Sequence, residues 1–270
     1  MVAEKYIIQI GEKGSEGLGK LDYLFNKTTQ EFLLKSGLKA GMSVLDIGCG
    51  SGVMTRWMAE YVGEQGLVVG IENDENQLNA AKRASSHLSA TNIKFELCSA
   101  YDIDKLDETF DFVYCRFVLH HLHEPVRVIS HIYDVLKPKG IYAAEEGIVN
   151  FAFSYPHSYA WGTEGKRLEP VWADVPPNNR DPNIGVKMVT KMRRAGFNII
   201  DTRIVHPVMS TREEKQFLLL GIEEMKDFYL SEGHTEDQWI QYVKDTEEIV
   251  NQDDQIAGFF ASMQVSGVKV

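Results

Sequence analysis

Hydrophobic and polar positions alternate between strand-like and helix-like patterns over residues 43–147. The segment "SVLDIG" predicts a buried strand, "VMTRWMAEYVGEQG" a helix that ends at glycine, "LVVGIEN" a second strand and "NQLNAAKRASSHL" a second helix. The alternation continues through "IKFELC", "FDFVYCRF", "PVRVISHIYDVLKP" and "GIYAAEEG". Regular β-α-β order with nearly continuous apolar strands predicts a parallel sheet that is covered by helices on both faces.

The alternation stops after Gly147 and resumes further along the chain. Residues 148–184 are rich in aromatic residues, proline and asparagine and have no clear period, which predicts a cover over a functional site. A helix, "VKMVTKMRRAGF", and a strand, "NIIDTRIVHP", come next, and a helical insertion at about 210–252 precedes the last strand, "IAGFFASMQVSGVKV". Because neither flank of this insertion resembles a linker, we assign both insertions to the same domain.

The segment "GKLDYLFNKTTQEFLLKSGL" near the N-terminus predicts an amphipathic helix. Phe25, Phe32 and Leu33 fall on its apolar side. We expect this side of the helix to pack on the sheet.

Composition and charge narrow the class of protein. A hydrophobic fraction of 44% in 270 residues is typical of a globular protein with its own core. The net charge of −11 disfavours a general nucleic-acid binder, since affinity for phosphate backbones comes largely from clustered Lys and Arg.

Cys49, Cys98 and Cys115 lack the spacing of a metal site or a disulfide framework, so we expect no metal. The chain opens without the pattern of a signal peptide and has no stretch of ~20 apolar residues, so we expect a cytoplasmic protein without a membrane span.

The stretch "VLDIGCGSGVMTRWM" joins a predicted strand to a predicted helix through a glycine-rich turn. Such a turn lets the backbone approach a ligand closely, and the start of the helix presents N–H groups to it. Gly48, Gly50 and Gly52 alternate, whereas the dinucleotide-binding fingerprint needs its third glycine at the position of Val53. Asp46 lies two residues before the first glycine. Together these residues resemble the first motif of class I S-adenosylmethionine-dependent methyltransferases.

Further matches to this family follow in the same order along the chain. In the family an acidic residue at the end of the second strand accepts hydrogen bonds from both ribose hydroxyls, and Glu72 occupies that place. "FDFVYCRFVLHHL" resembles the fourth strand and the segment after it, and "LKPKG" resembles the turn before the fifth strand. Ser99 stands where the family often has an acid that reaches the adenine amino group, and its hydroxyl or the nearby Asp102 can substitute for that acid.

The resemblance implies a Rossmann-like, doubly wound α/β fold with a mostly parallel seven-stranded sheet and helical cap insertions. It also implies S-adenosylmethionine as cofactor and S-adenosylhomocysteine as product. Residues 1–42 would form a helical segment that closes the cofactor site, over a methyltransferase domain of residues 43–270. The positions that it assigns to cofactor binding are Asp46, Gly48, Cys49, Gly50, Gly52, Glu72, Asn73, Ser99, Ala100, Tyr101, Arg116, Phe117 and His121.

The resemblance also directs attention to groups that accept a proton. Methyl transfer needs mainly proximity and alignment, and a protein base is needed only when the acceptor keeps a proton. The candidate bases are His120, His121, His123, Glu145 and Glu146. His121 is the preferred catalytic residue, because in several small-molecule members of the family the histidine of a similar "HL" pair lies beside the methyl-bearing sulfur. Glu146 is the second catalytic candidate, and it either binds substrate or holds a cover segment.

The methyl acceptor is the part of the function on which the sequence says least. Methyltransferases that act on the amino groups of nucleic-acid bases carry an Asn/Asp-Pro-Pro-aromatic run after the fourth strand, where this chain has "CRFVLHHL". We therefore expect a small-molecule acceptor and no nucleic-acid partner. The aromatic residues of the two insertions that could line its chamber are Tyr155, Tyr159, Trp161, Trp172, Phe228, Tyr229, Trp239 and Tyr242. Two alternatives stay open: a cofactor-binding pseudo-enzyme that acts through a protein partner, and a cyclase-like enzyme that uses the cofactor without methyl transfer.

Overall fold

The computed structural model describes residues 12–86, 91–156, 180–219, 226, 230, 233–258 and 260–270. The strands are β1 (Ser43–Ile47), β2 (Leu67–Glu72), β3 (Ile93–Leu97), β4 (Phe110–Arg116), β5 (Leu136–Ile148), β6 (Phe153–Tyr155), β7 (Phe197–Val205), β8 (Val208–Met209), β9 (Ile256–Gly258) and β10 (Ala261–Lys269). The helices are α1 (Glu12–Ser36), α2 (Val53–Val62), α3 (Glu75–Ser85), α4 (Pro125–Val135), α5 (Met188–Arg194), α6 (Arg212–Lys215) and α7 (Glu236–Asn251).

Seven strands form one sheet in the order β3-β2-β1-β4-β5-β10-β7. The first five strands of the chain pair in parallel, and β10 runs antiparallel to both of its neighbours. The expected doubly wound, mostly parallel α/β fold is therefore confirmed. The strand order reverses between β1 and β4, and in open α/β sheets ligands bind outside the carboxyl ends of the strands at such a switch point.

Apolar side chains cover both faces of this sheet. Val44 and Leu45 are neighbours in β1 and enter separate buried clusters, because successive side chains of a strand point to opposite faces. The cluster of Val44 contains side chains of α1 and α2, and the cluster of Leu45 contains side chains of α4 and α5. Phe25, Phe32 and Leu33 of α1 are fully buried, which confirms the predicted apolar side of that helix.

The insertion at 210–252 contributes a third apolar cluster with the small sheet β6-β9-β8. Its buried members are Met209, Leu218, Trp239, Tyr242, Ile249, Val250 and Ala257. Trp239 and Tyr242 stack with ring centroids 5.3 Å apart, so these two candidate chamber residues pack within the cap. Lys215 is also fully buried, and its ammonium donates to the backbone carbonyls of Gln252 and Gln255 just after α7. We call the region formed by β6, β8, β9, α6, the 3₁₀ helix Gln216–Leu218 and α7 the cap.

Two predicted elements differ in the structure. The single last strand is wrong, because the chain leaves the small sheet at Gly258 and enters the large sheet at Ala261. Phe260 lies between them and stacks on Phe25, at 5.6 Å between ring centroids, which holds this residue out of either sheet. The helix predicted to run to Pro138 ends at Val135, because a proline cannot continue a helix and also favours extended backbone before it.

In the part of the chain that the structure describes, none of the helices combines the length and the apolar character needed to cross a lipid bilayer. The same described residues contain no group of three or more His, Cys, Asp or Glu side chains that are placed to hold a metal ion.

Candidate active site

The glycine turn connects β1 to α2 at the switch point of the sheet. Gly48, Gly50 and Gly52 have φ angles of 69°, 51° and 73°, in the left-handed region that glycine adopts without strain. A Cβ atom on Gly48 would lie 2.4 Å from Cγ2 of Val118, and one on Gly52 would lie 3.0 Å from the ring of Phe95. Close packing therefore also requires glycine at the first and third positions of the turn.

Asp46 and Cys49 hold this turn to its neighbours. Asp46 is buried at the end of β1, where its carboxylate accepts a 2.6 Å hydrogen bond from the hydroxyl of Thr55 in α2. Burial raises the pKa of Asp46 to about 6, and the hydrogen bond from Thr55 limits the rise. The N–H groups of Gly48 and Cys49 both donate to the carbonyl oxygen of Ile71 in β2 at 2.9 Å. These contacts fix the turn between α2 and β2.

Glu72 ends β2 with a buried carboxylate that accepts three backbone hydrogen bonds. Oε1 accepts from the N–H groups of Asn73 at 2.8 Å and Asp74 at 3.2 Å, and Oε2 accepts from the N–H of Gly50 at 3.1 Å. Burial raises the pKa of Glu72, and the three N–H groups oppose this rise. A carboxylate has about four acceptor positions, so Oε2 keeps one for a ligand hydroxyl.

A pocket that is partly open to solvent lies between the ends of β1, β2 and β3 and the segment after β4. Its lining residues are Gly48, Ile71, Glu72, Asn73, Cys98, Ser99, Ala100, Val118 and Leu122. The pocket thus brings together five predicted cofactor residues, namely Gly48, Glu72, Asn73, Ser99 and Ala100. The carboxylate of Glu72 supplies its polar side, and Ile71, Val118 and Leu122 supply apolar surface.

Ser99 and Asp102, the two proposed substitutes for the missing adenine acid, have different surroundings. Ser99 lines the pocket and precedes the short 3₁₀ helix Ala100–Lys105, where its Oγ accepts from the N–H of Tyr101 at 3.2 Å. Asp102 forms an ion pair with Lys105 at 2.6 Å and does not line the pocket. The hydroxyl of Tyr101 accepts from the backbone N–H of Glu124 at 3.1 Å. Ser99 is therefore the better placed of the two substitutes.

Arg116 and Phe117 lie outside the pocket lining and contact α1. The guanidinium of Arg116 donates to Asp22 at 2.6 Å and to Asn26 at 2.8 Å. Phe117 has a φ of 55°, which is uncommon for a residue other than glycine, and its ring packs edge-on against Phe25 of α1 at 5.2 Å between centroids. The structure therefore joins these two predicted cofactor residues to the N-terminal helix.

His121 is buried, at 8% exposed, and does not line the pocket. Its ring centroid lies 3.9 Å from that of His120. The pKa of His121 is lowered to about 2, mainly by burial and to a smaller extent by the neighbouring His120 and Arg180. The imidazole is thus neutral at physiological pH. Because its pKa lies far below the working pH, it accepts a hydrogen bond but is a weak proton acceptor.

Glu146 is fully buried, and both of its carboxylate oxygens contact the segment after β4. Oε1 accepts from the backbone N–H groups of Val118 at 3.1 Å and Leu119 at 2.8 Å. Oε2 accepts from the backbone N–H of His120 at 3.4 Å and lies 3.0 Å from Nδ1 of the same residue. Glu146 therefore holds residues 118–120, which belong to neither of the predicted cover segments at 148–184 and 210–252.

Glu145 is also fully buried, but it contacts different parts of the chain. Its Oε2 accepts a 2.6 Å hydrogen bond from the hydroxyl of Thr29 in α1. Its Oε1 accepts from Ser262 at 3.0 Å and from Gln264 at 2.9 Å, both in β10. Glu145 therefore links α1 to the sheet and does not face the pocket.

Sequence reasoning missed the polar contacts of α1 and the apolar wall of the pocket. Asp22, Asn26 and Thr29 bind the ends of β4 and β5, and their i, i+4, i+7 spacing was the signal that could have shown them on one helix face. Val118 and Leu122 had no comparable signal. Among the candidate chamber residues, Tyr155 is 70% exposed. Tyr159, Trp161, Trp172, Phe228 and Tyr229 lie outside the described residues.

The fold and the pocket define a class of nucleotide-cofactor proteins, and comparison with known proteins gives the family. Residues 38–175, about half of the chain, match the family described as "Methyltransferase domain". The chain belongs to this family, in its class I S-adenosylmethionine-dependent type. The residues present fit S-adenosylmethionine, since the pocket offers an acceptor oxygen of Glu72 and a glycine turn that keeps side chains away.

Three relatives illustrate how far the sequence similarity reaches. An uncharacterized methyltransferase of Schizosaccharomyces pombe is 33% identical over 139 residues, which are 49% of this chain and 49% of the relative. Demethylmenaquinone methyltransferase of Shouchella clausii is 35% identical over 103 residues, 38% of this chain and 44% of the relative. A tRNA U34 carboxymethyltransferase of Desulfotalea psychrophila is 28% identical over 191 residues, 70% of this chain and 55% of the relative. The chain spans about half the length of these relatives.

Solved structures share the fold at low sequence identity. The YcgJ protein of Bacillus subtilis is similar to this chain with a TM-score of 0.60 and 15% identity, and the match covers 90% of this chain and 98% of that protein. The cyclase SpnF is similar with a TM-score of 0.58 and 21% identity, over 90% of this chain and 80% of SpnF. These similarities support the architecture alone.

Proposed function

We propose that this protein is an enzyme that transfers the methyl group of S-adenosylmethionine to a small-molecule acceptor. The observation that carries this proposal is a cluster of three phenylalanine rings at the carboxyl edge of the sheet. Phe25 comes from α1, Phe117 follows β4, and Phe260 joins the two last strands; their ring centroids lie 5.2 to 5.6 Å apart. Three distant parts of the chain thus meet through apolar rings at this edge, which supports an apolar small-molecule chamber beside them.

The N-terminal helix and the cap also contact each other across this edge. Tyr23 of α1 stacks on Phe217 of the cap, with 5.4 Å between ring centroids. We propose that residues 1–42 close the cofactor site and that the insertions at about 148–184 and 210–252 cover the acceptor. Exclusion of water at such an edge strengthens the electrostatic interactions inside it.

The cofactor contacts that we propose are those predicted from the sequence, with two differences. Glu72 binds one ribose hydroxyl instead of two, and three of the predicted residues act indirectly. Glu72 binds one ribose hydroxyl through Oε2, since its other acceptor positions are occupied by backbone N–H groups. Ser99 and Ala100 face the adenine side, and Gly48, Cys49, Gly50 and Gly52 with Asp46 form the turn below the methionine part. Asn73 completes the ribose side, while Tyr101, Arg116 and Phe117 act through the elements that they hold.

His121 is the residue that we propose to face the acceptor. The bound cofactor supplies a methyl group that is already activated by the positive sulfonium. A neutral imidazole with a pKa of about 2 orients an acceptor by accepting a hydrogen bond, rather than by removing a tightly held proton. The acceptor therefore presents a lone pair, or a group acidic enough to be ionised before attack.

Charge and relatives together favour a small acceptor over a nucleic acid. The net charge of −11 opposes binding to a phosphate backbone. One group of relatives carries the name demethylmenaquinone methyltransferase, which denotes a small acceptor. Another relative carries the name tRNA U34 carboxymethyltransferase, so the experiment must distinguish a tRNA acceptor from a small-molecule acceptor.

The test uses S-adenosylmethionine with a labelled methyl group. The purified protein is incubated with a small-metabolite extract in one reaction and with protein-free tRNA in another, and S-adenosylhomocysteine is quantified by mass spectrometry. We expect product and label in the metabolite reaction only. Label in tRNA would replace the small-molecule proposal. Tight cofactor binding without any S-adenosylhomocysteine would instead favour the pseudo-enzyme or cyclase-like alternatives.

A further inference from the structure

We propose that Glu146 is a positioning residue, which fixes one wall of the cofactor pocket through the backbone of residues 118–120. Three successive N–H groups and one imidazole nitrogen converge on its carboxylate, at 2.8 to 3.4 Å. The side chain is fully buried, so it does not reach the pocket itself. Its effect on the cofactor passes through the segment that it binds.

The residues at and just after that segment form part of the pocket wall. Val118 and Leu122 both line the pocket, and Cγ2 of Val118 packs so closely on Gly48 that a Cβ there would lie 2.4 Å away. Between them the backbone forms a short 3₁₀ turn, in which His121 donates to the carbonyl of Val118 at 3.0 Å. A shift of residues 118–120 would therefore move the pocket wall and His121 together.

The local backbone of this segment needs outside support. Phe117 lies at a φ of 55°, a conformation that disfavours side chains other than glycine. The segment is irregular at this point, and the N–H groups of Val118 and Leu119 both donate to the carboxylate of Glu146. A buried N–H without an acceptor is costly, and an ionised carboxylate is the strongest acceptor a side chain offers. Glu146 thus stabilises a turn that its own sequence does not favour.

Glu145, the neighbour of Glu146 in β5, does not share this positioning role. Successive side chains of β5 point to opposite faces of the sheet. Glu145 consequently binds α1 and β10 through Thr29, Ser262 and Gln264. Only Glu146 contacts the segment that lines the pocket.

The decisive variant is Glu146→Leu, which keeps the side chain's approximate volume but removes every acceptor. Binding of S-adenosylhomocysteine is measured by titration calorimetry on the full chain, so no acceptor needs to be known. We expect the dissociation constant to rise at least about tenfold. Glu146→Gln keeps one acceptor oxygen for Val118 and Leu119, so we expect it to recover most of the affinity.

Asp111→Leu is the matched control. Asp111 also accepts a backbone N–H, from Ser43 at 2.9 Å, and binds Lys137 at 2.8 Å, but it lies at the opposite, N-terminal end of β4. We expect it to lower thermal stability without changing the affinity for S-adenosylhomocysteine. Equal losses of affinity in Asp111→Leu and Glu146→Leu would show general destabilisation and overturn the positioning role.

Amide hydrogen exchange in the ligand-free protein supplies a second readout, which remains usable if Glu146→Leu does not fold. In Glu146→Gln we expect faster exchange at His120, with Val118 and Leu119 still protected. Unchanged exchange at all three amides, together with unchanged affinity, would overturn the proposal. The proposal rests on the proposed function only in requiring a cofactor pocket. A wild-type protein that does not bind S-adenosylhomocysteine would contradict the proposed function, and the exchange data would then decide on Glu146 separately.

Discussion

Glu72 contributes to both the fold and the cofactor pocket. Its carboxylate connects the glycine turn to the start of α3, because it binds the N–H groups of Gly50, Asn73 and Asp74. The same carboxylate lines the pocket. Replacement by alanine would therefore disturb the turn as well as the ligand contact, and a smaller change is needed to isolate the contact.

Glu72→Gln is that smaller change. We expect it to raise the dissociation constant for S-adenosylmethionine by roughly 10- to 100-fold, equivalent to about 1.5–3 kcal/mol, because a charge-assisted hydrogen bond is lost. Titration calorimetry measures the change. Asp74→Asn is the control, since Asp74 caps α3 by accepting from the N–H of Gln77 and does not line the pocket. Equal affinity in Glu72→Gln and wild type would remove Glu72 from the binding site.

Asp46 and His121 give opposite contributions to stability as pH falls. The pKa of His121 is about 2 in the folded protein against 6.5 for an ordinary histidine, so its contribution is complete above pH 6.5 and is lost on acidification. The pKa of Asp46 is raised from 3.8 to about 6, so the cost of burying its charge is relieved as pH falls below about 6.

We therefore expect His121→Gln to reduce the loss of unfolding free energy between pH 6.5 and pH 5. In the wild type, protonation of this histidine in the unfolded state alone lowers the unfolding free energy by about 1.6 kcal/mol over that interval. Chemical denaturation at several pH values measures this difference. For Asp46→Asn we expect the unfolding free energy to fall more steeply on acidification, because the carboxylate whose protonation compensates for His121 has been removed. A variant His121→Gln with the same pH profile as wild type would show that His121 is not buried in its neutral form.

The contacts that hold helix α1 on the sheet change along its length, from partly polar in its N-terminal half to apolar in its C-terminal half. Its C-terminal half buries Phe32 and Leu33 in an apolar cluster. Its N-terminal half packs Phe25 against Phe117 and Phe260 and also binds Arg116 through Asp22 and Asn26. The polar groups can exchange these partners for water, whereas apolar docking cannot be replaced by water in this way. We therefore expect the N-terminal half of α1 to open locally more readily than the C-terminal half.

Asp22→Asn tests this difference between the two halves. The ion pair is shielded, with side-chain exposures of 13% for Arg116 and 14% for Asp22, so its loss leaves a buried cation without its partner. We expect faster amide exchange in residues 12–28 and little change in residues 32–36. Lys35→Gln is the control on the same helix, because the Lys35 side chain is 64% exposed in its pair with Asp201. Uniform acceleration along the helix would contradict two-part docking.

At the scale of the whole molecule, the proposed function requires the carboxyl edge of the sheet to close over an acceptor. The ring contacts between α1, the segment after β4 and the cap join the three parts that would close. Closure of such covers excludes water and commonly accompanies substrate binding. In the proposed function the cofactor alone would occupy only the pocket at the switch point.

We therefore expect cofactor and acceptor together to lower hydrogen exchange in residues 148–184 and 210–252 more than the cofactor alone does. The acceptor is the compound identified in the labelling experiment, and strands β1 and β4 are the internal control. Mass spectrometry of peptic fragments measures the exchange. Protection confined to the glycine turn would place the acceptor elsewhere and weaken the proposed cover.

The amino-acid sequence alone determined the order of strands and helices, the parallel sheet and the glycine turn. These features depend on local patterns, since apolar runs, helix periodicity and glycine spacing act within a few residues. Asp46, Gly48 and Glu72 could therefore be found without a structure. The split of the last strand was missed, because the position of Phe260 depends on the ring of Phe25 far away in the chain.

Only the tertiary structure decided which polar groups meet one another. Glu145 and Glu146 are identical neighbours in the sequence, yet one binds α1 and β10 while the other binds residues 118–120. The pairing of Arg116 with Asp22, and the neutral state of His121, likewise follow from burial and from contacts across many residues. Strand register and the alternation of side chains between the two faces of a sheet set these partners, and a single sequence does not reveal the register.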